Sequence, residues 1–331
     1  MSSGSNVVNR ILGKLNLDVY ILMLVGTVVL ASIVPARGGF AVLVEDVANA
    51  AIVLLFFLHG ARLSRQAVIE GASNWRLHLV VSCTTFVIFP IIGLAVYHLP
   101  GIPPAIATGL LFLSLLPSTV QSSIAFTAVA GGNVAAAVCS ASFSNLSGIF
   151  LTPMLVAVFM SAKAGGISLH SVGLIVFQLF LPFCSGHLLR PWIAGWVARR
   201  KTLLTFVDRG SILMVVYTAF GAAVVKGIWH QVSFGDLGII VVLSSVILAT
   251  VLTISFLWAR RLGFSREDII VVQFCGSKKS LASGVPMAGV LFPAAQVGAI
   301  ILPLMFFHQI QLMVCAFLAR KYAAGMSAPI P

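Results

Sequence analysis

The chain alternates between long apolar runs and short polar connections over nearly its whole length. Ten runs approach or exceed the roughly 20 residues that a membrane-spanning helix needs. They lie at 19–36, 46–61, 77–98, 104–129, 134–161, 169–189, 207–228, 235–259, 268–292 and 295–319. The pattern predicts an all-α polytopic membrane protein with ten transmembrane helices.

Two of these runs are interrupted by polar residues near their centres. In run 104–129, Pro117 removes a backbone donor and breaks the helix. The polar residues that follow it are Ser118, Thr119, Gln121, Ser122 and Ser123. In run 268–292 the break reads Gly276-Ser277-Lys278-Lys279-Ser280. At about 1.5 Å per residue, each break lies roughly 15–20 Å from the start of its run, near the midplane.

The two broken runs occupy corresponding positions, the fourth of the first five runs and the fourth of the last five. Because five crossings is an odd number, the second half is inverted relative to the first. Interrupted helices at corresponding positions of two inverted halves are typical of the binding site of a secondary transporter. The sequence therefore predicts two inverted five-helix repeats, with broken helices 4 and 9 crossing at the midplane.

The basic residues cluster on one side of this topology, which the positive-inside rule assigns to the cytoplasm. Only Arg37, Lys163 and Lys226 fall on the other side. The clustered residues are Arg10, Lys14, Arg62, Arg65, Arg76, Arg190, Arg199, Arg200, Lys201, Arg209, Arg260, Arg261, Arg266, Arg320 and Lys321. We expect a multi-pass protein of the plasma (inner) membrane with both termini in the cytoplasm.

Composition narrows the function classes. The chain of 331 residues is 60% hydrophobic and 8% charged, unlike a soluble domain. Its net charge of +12 is scattered between apolar spans, so nucleic-acid binding is not expected. The cysteines lie in apolar runs without metal-ligand spacing, and all carboxylates lie at run ends or in loops. With no intramembrane carboxylate to orient a nucleophile, we expect no enzyme, no metal site and no cofactor.

Lys278 and Lys279 are the formal charges at mid-membrane depth, where an ionisable residue is costly and indicates a functional site. Adjacent helical residues point about 100° apart, so one lysine can face a cavity while the other caps the carbonyl end of a half-helix. Contact with an anionic substrate, proton coupling, a purely structural cation and snorkelling to the interface all remain open.

Other polar side chains lie on neighbouring spans. His308 and Gln311 are three residues apart, on one helix face next to Gln309. Asn145 lies within a serine-rich stretch of run 134–161. Interhelical hydrogen bonds or close packing would explain these residues equally well. The candidate substrate-binding residues are Ser118, Thr119, Gln121, Ser122, Ser123, Asn145, Ser277, Lys278, Lys279, Ser280, His308 and Gln309.

These motifs resemble the bile acid:sodium symporter superfamily. The matching stretches of spans 4 and 5 are 115–123, Ala130-Gly131-Gly132-Asn133 and Leu151-Thr152-Pro153. Residues 274–282 with 307–312 are closer to the sodium-bile acid symporter-like branch, whose bacterial members are similar to vertebrate solute carrier 10 member 7. The similarity runs from about span 1 to span 10.

The resemblance implies a panel domain and a core domain that rock against each other. The panel comprises helices 1–2 (1–75) and 6–7 (163–230), and the core comprises helices 3–5 (76–162) and 8–10 (231–331). Substrate would bind near the crossing of the broken helices. The expected function is secondary active transport of a small organic anion by alternating access. A non-transporting membrane regulator or scaffold with a transporter fold is the alternative.

The chain departs from the family at the sodium ligands. Sodium-coupled members carry a glutamate and a Gln-Asn pair in helix 9, at the positions of Phe274, Lys278 and Lys279. A Ser-Asn pair in helix 4 corresponds roughly to Ser122 and Ser123. An anionic ligand is thus missing and cations replace the pair. We expect an ammonium group to occupy the space of a sodium ion, which would make transport independent of sodium.

Overall fold

The computed structural model describes residues 19–62, 74–160, 169–225, 227 and 233–324, all helical or in short connections. Arg10, Lys14, Arg65, Lys163 and Lys226, on which the predicted topology partly rests, lie outside these residues. The helices are α1 (Val19–Ile33), α2 (Gly38–Arg62), α3 (Trp75–Cys83), α4 (Phe89–Tyr97), α5 (Pro104–Ser114), α6 (Gln121–Val129), α7 (Val134–Met160), α8 (Leu169–Arg199), α9 (Lys201–Val225), α10 (Phe234–Arg261), α11 (Arg266–Gly276), α12 (Leu281–Leu291) and α13 (Ala294–Ala324).

The helices have the length and composition of membrane spans. Within the described residues, six helical stretches are long and apolar enough to cross a bilayer, and shorter apolar helices accompany them. Large apolar side chains such as Val158, Leu188 and Phe317 are more than 65% exposed, which suits contact with lipid. Helices satisfy their backbone groups internally, as the hydrocarbon region requires. The prediction of an all-helical polytopic membrane protein is confirmed for this part of the chain.

Three predicted boundaries are wrong. Helix α2 begins at Gly38 rather than at 46, so Glu45 and Asp46 lie on a helix and not at its end. The run predicted at 169–189 continues as α8 to Arg199, and α9 begins at Lys201. Between α8 and α9 the apolar pattern ends before the helices do, because arginine and lysine are good helix formers.

Helices α2 and α8 pack along much of their length, and α1 and α2 both pack against α9. Two glycines make the α2–α8 contact possible. A Cβ added at Gly60 would lie 1.9 Å from the Phe183 carbonyl oxygen, and one at Gly186 would lie 1.9 Å from that of Phe57. Side chains at these positions would therefore hold the helices apart.

We predict that Gly60→Ala and Gly186→Ala each lower the free energy of unfolding by about 1–3 kcal/mol, because the added methyl group overlaps a backbone oxygen. Thermal unfolding of the detergent-purified protein measures this. Gly26→Ala in α1 is the control, since nothing lies within 4 Å of a Cβ there. Equal melting temperatures for the three variants would contradict the account.

Candidate functional site

Two helices are broken at the points that the sequence predicts, and the breaks meet. The chain leaves α5 after Ser114 and resumes as α6 at Gln121, and it leaves α11 after Gly276 and resumes as α12 at Leu281. The backbone N–H of Ser280 donates to the carbonyl oxygen of Pro117 at 2.9 Å. The two interruptions are thus joined directly by a backbone hydrogen bond.

Lys279 is fully buried between these breaks. Its ammonium nitrogen donates to the carbonyl oxygens of Thr85 at 2.8 Å, Ser114 at 2.8 Å and Leu116 at 2.6 Å. It also lies 4.1 Å from the centre of the Phe89 ring. An ammonium group has three N–H donors, so these three carbonyls use its whole donor capacity. A cation at the carbonyl end of α5 also complements the helix dipole.

Proline and serine explain why these carbonyls are free to accept. Phe89 N–H bonds to Thr84 O in a π-helical segment, Thr84–Ile88, and the next residue, Pro90, has no N–H to give to Thr85 O. In the other break, Ser118 N–H bonds to the Ser144 hydroxyl at 3.0 Å instead of returning to Ser114 O. Lys279 therefore replaces backbone donors that the sequence has removed from two separate helices.

The remaining backbone groups of the breaks also find side-chain partners. Leu115 O accepts the Thr152 hydroxyl at 2.8 Å. At the break between α11 and α12, Gln311 accepts from Lys279 N–H at 2.9 Å and donates to Lys279 O at 2.9 Å. The place where the two breaks meet is called the crossing below. An unsatisfied polar group in hydrocarbon costs several kcal/mol, so this set of partners is what allows irregular backbone at membrane depth.

Gln311 also joins His308 to the break. Because its amide oxygen accepts from Lys279, its nitrogen is the group 2.9 Å from His308 Nδ1. That nitrogen only donates, so Nδ1 accepts and the imidazole proton lies on Nε2. The predicted pairing of His308 and Gln311 on one face is confirmed. The role of Gln311 as a backbone clamp was missed, since nothing in the sequence marks which carbonyl it reaches.

Lys278 is equally buried but differently surrounded. Its ammonium nitrogen donates to Ser122 O at 2.9 Å, and lies 4.2 Å from the Phe126 ring centre and 5.2 Å from that of Phe274. Cation–π contacts of this kind are worth about 2 kcal/mol when desolvated. The Lys278 ammonium group thus uses one N–H donor for a carbonyl oxygen, and its other contacts are with the faces of two aromatic rings.

Three of the polar residues after Pro117, Thr119, Ser122 and Ser123, form one hydrogen-bonded group at the start of α6. The Thr119 hydroxyl lies 2.8 Å from that of Ser123, and Ser122 donates to Thr119 at 2.9 Å. Ser123 donates to Phe274 O at 3.0 Å, which caps the end of α11. This group therefore links the two broken helices a second time.

Asn145 on α7 reaches the other half-helix. Its amide oxygen accepts the Ser283 hydroxyl at 2.8 Å, and Ser283 is bonded to Ser280, the N-cap of α12. Ser277 bonds back to Gln273 O in its own helix. Gln121 is exposed and Gln309 is half-buried, and in the described part of the chain no hydrogen bond joins either of them to the lysines.

No carboxylate takes part in the hydrogen bonds of the two lysines within the described residues: every acceptor is a backbone carbonyl oxygen. The same residues contain no group of three metal-ligating side chains. The arrangement can hold positive charge at the crossing, place hydroxyl and amide groups beside it, and exclude water from it.

We predict that Lys279→Met lowers the free energy of unfolding by about 3 kcal/mol or more, because three buried carbonyls lose their donor. The thermal melting temperature of the purified variant reports this loss. Lys321→Met is the control, since Lys321 is exposed near the end of α13. A Lys279→Met protein that melts like the wild type would show that the carbonyls do not depend on the ammonium group.

Known proteins align with this chain over most of its length. The chain is 56% identical over 308 residues to "Putative symporter YfeH" of Escherichia coli (strain K12), covering 92% of this chain and 93% of that protein. It is 26% identical over 311 residues to "Sodium/bile acid cotransporter 7" of Mus musculus, covering 92% of each. The Danio rerio protein of the same name is 27% identical over 282 residues, 84% of each chain.

A family model matches residues 18–324, from the start of α1 to the end of α13. Both broken helices and both buried lysines lie within the matched region. The chain therefore belongs to the SBF-like CPA transporter family.

Proposed function

We propose that the protein is a secondary active transporter of a small organic anion that works by alternating access and does not couple to sodium. Its family and the symporter and cotransporter names of its relatives support transport. The observation that carries the sodium independence is the ammonium group of Lys279, which is bonded to three carbonyl oxygens between the broken helices.

The proposed architecture has ten membrane crossings in two inverted repeats. Helices α5 and α6, the halves of the first broken helix, contain 11 and 9 residues. Helices α11 and α12, the halves of the second, contain 11 residues each. At about 1.5 Å per residue, each half reaches only part of the way across a bilayer of about 30 Å. This supports treating α5 with α6, and α11 with α12, as one crossing each, at the corresponding positions that the inverted repeat requires.

The division into panel and core rests on helix packing. Helices α1, α2, α8 and α9 make up the proposed panel (1–75 and 163–230), and α2 packs against both α8 and α9. The broken helices and their partners α3, α4, α7, α10 and α13 make up the proposed core (76–162 and 231–331). Contacts of α9 with α12 and α13 join the two parts, and rocking at this interface would alternate access to the crossing.

A sodium ion does not suit the space between the breaks. Sodium is held by oxygen ligands, and three carbonyls that could serve are already hydrogen-bonded to Lys279 at 2.6–2.8 Å. A second cation there would lie against the ammonium charge without a carboxylate to balance it. The positive charge that sodium would bring is instead built into the chain.

Lys278 is the proposed charge partner of the anion. It has one hydrogen bond to a carbonyl, to Ser122, whereas Lys279 has three. Exchanging ring contacts for an anion would cost Lys278 little, because cation–π contacts are weaker than a bond to a charged acceptor. Ser122, Asn145, His308 and Gln309 are partly exposed beside the crossing and would supply the neutral contacts.

We propose the cytoplasmic membrane as the location, with both termini on the cytoplasmic side. The positive-inside asymmetry supports this orientation. Within the described residues, Arg62, Arg199, Arg260 and Arg261 all lie in the last turns of helices that the proposed topology directs to that side.

One observation favours the second candidate, a non-transporting regulator or scaffold with a transporter fold. Both ammonium groups are buried and bonded to the protein itself. A protein with this role would need the lysines only to hold the crossing together, and it would move no anion in any gradient.

The test of sodium coupling is uptake into proteoliposomes. We expect organic-anion uptake to have the same initial rate with an inward sodium gradient and with choline replacing sodium, because Lys279 already binds the three carbonyl oxygens between the breaks. A rate that depends strongly on sodium would contradict the proposal. Complete absence of uptake for every anion, with well-folded protein, would favour the scaffold.

The test of the charge partner is Lys278→Met, which keeps the side-chain volume and removes the charge. We expect anion uptake to fall at least about tenfold, because a charge-assisted contact is worth about 1.5–3 kcal/mol, while the melting temperature changes far less than in Lys279→Met. Unchanged uptake by this variant would remove Lys278 from the mechanism.

A further inference from the structure

A second polar cluster lies away from the crossing, where α2, α8 and α9 come together. Arg62 at the end of α2 donates to Asp208 on α9 at 2.6 Å. His59, one turn earlier on α2, interacts electrostatically with both of these residues. The apolar side chains beneath them come from the same three helices: Leu58, Ala61, Val197 and Leu204, with Phe57, Ile193 and Val207 at the edge.

Helix α8 adds two more nitrogen-bearing side chains to this cluster. Gly186 packs against α2, and Ile193 packs against the apolar side chains named above. Arg190 shares a helix face with both, since residues three and four apart lie on one face. His187 lies three residues before Arg190 and therefore next to it. The backbone nitrogen of His187 would lie 3.0 Å from a Cβ at Gly60. The α8 residues therefore lie at the depth of His59 and Arg62.

Several polar atoms of this cluster are buried without a hydrogen bond within the part of the chain that the structure describes. The donors are Nη2 of Arg62 and Nε of Arg190, and the imidazole contributes Nδ1 of His187. One oxygen of Asp208, Oδ1, is in the same condition. Two guanidinium groups and one carboxylate leave one surplus positive charge, so the cluster suits an anion with several acceptor oxygens.

The surroundings place the cluster at the level of lipid headgroups. Trp192 and Trp196 follow Arg190 on α8 and are 77% and 50% exposed. Exposed tryptophans are characteristic of the membrane–water interface. Basic pockets between transmembrane helices are suited to anionic lipid headgroups.

An apolar groove of about 410 Å³ lies on the same pair of helices. Val53, Leu54 and Phe57 of α2 line it together with Leu181, Pro182 and Ser185 of α8. Its last lining residues, Phe57 and Ser185, each precede an arginine, Arg62 and Arg190, by five positions. That spacing is about 7.5 Å of helix, so an acyl chain in the groove would extend toward the cluster.

We propose that Arg62, His187 and Arg190 bind the phosphate of an anionic phospholipid whose acyl chain lies in the α2–α8 groove. Arg190 Nε and His187 Nδ1 are the buried nitrogens of α8 that have no hydrogen-bond partner within the described residues. Arg62 divides its guanidinium between Asp208 and the phosphate. The lipid joins two helices of the panel and is independent of the crossing and its lysines.

The experiment compares lipids added to the purified full-length protein in a neutral detergent. Phosphatidylglycerol is expected to raise the melting temperature and to remain bound in native mass spectrometry, and phosphatidylcholine, whose choline offsets its phosphate, is expected to do neither. In Arg190→Gln the phosphatidylglycerol concentration for a half-maximal shift should rise about tenfold, as for the loss of one charged hydrogen bond.

Arg199→Gln is the matched control, because Arg199 is exposed and bonded to Gly195 O of its own helix. It should respond to phosphatidylglycerol as the wild type does. His187→Phe, which removes the unpaired Nδ1 and keeps an aromatic ring, is the second variant if Arg190→Gln does not accumulate, and it should also weaken the response.

Three results would overturn the proposal. Phosphatidylcholine could stabilise the wild type as well as phosphatidylglycerol does. The response of Arg190→Gln, or of His187→Phe in its place, could equal that of Arg199→Gln. Inorganic phosphate alone could reproduce the whole shift, which would assign the cluster to a soluble anion.

Discussion

The structure depends on one constraint: two helices are broken inside the membrane, and their freed carbonyl groups need a donor that water cannot provide there. Lys279 meets this need with a single side chain that reaches Thr85, Ser114 and Leu116. These carbonyls come from two separate helical segments, and the lysine itself comes from a third. One ammonium group thus fixes the relative position of three helical segments at the same depth.

The other contacts at the crossing follow from that arrangement. Once Lys279 is held, its own peptide group is left outside a helix, and Gln311 bonds to both ends of it. Ser280 N–H, one residue further, meets Pro117 O at the opposite break. Gly148 allows α7 to pack against this break, because a Cβ there would lie 2.5 Å from the Pro117 side chain. The crossing is therefore a closed network with a cation at its centre.

The breaks could be predicted from sequence because proline or charge coincides there with a run of polar residues. Proline alone would not have been enough, since Pro153, Pro182 and Pro303 lie inside continuous helices. The pairing of His308 with Gln311 was predictable from helical spacing. The long-range hydrogen bonds were not predictable, because a hydropathy pattern does not indicate that Thr85, Ser144 or Thr152 contacts a break far away in sequence. Pro90 was the available signal, since it leaves a carbonyl unpaired, but its partner depends on tertiary packing.

The two lysines are adjacent in sequence, but the structure gives them different surroundings. The Lys279 ammonium group contacts three carbonyls, whereas that of Lys278 contacts one carbonyl and two aromatic rings. Sequence alone could not distinguish them.

We propose above that the Lys279 ammonium group occupies the place where a coupling sodium ion would bind. Calorimetric titration of the purified wild-type protein with sodium chloride, against a choline chloride blank, tests it most directly. The account predicts no saturable heat of sodium binding, and stoichiometric, saturable binding would contradict it.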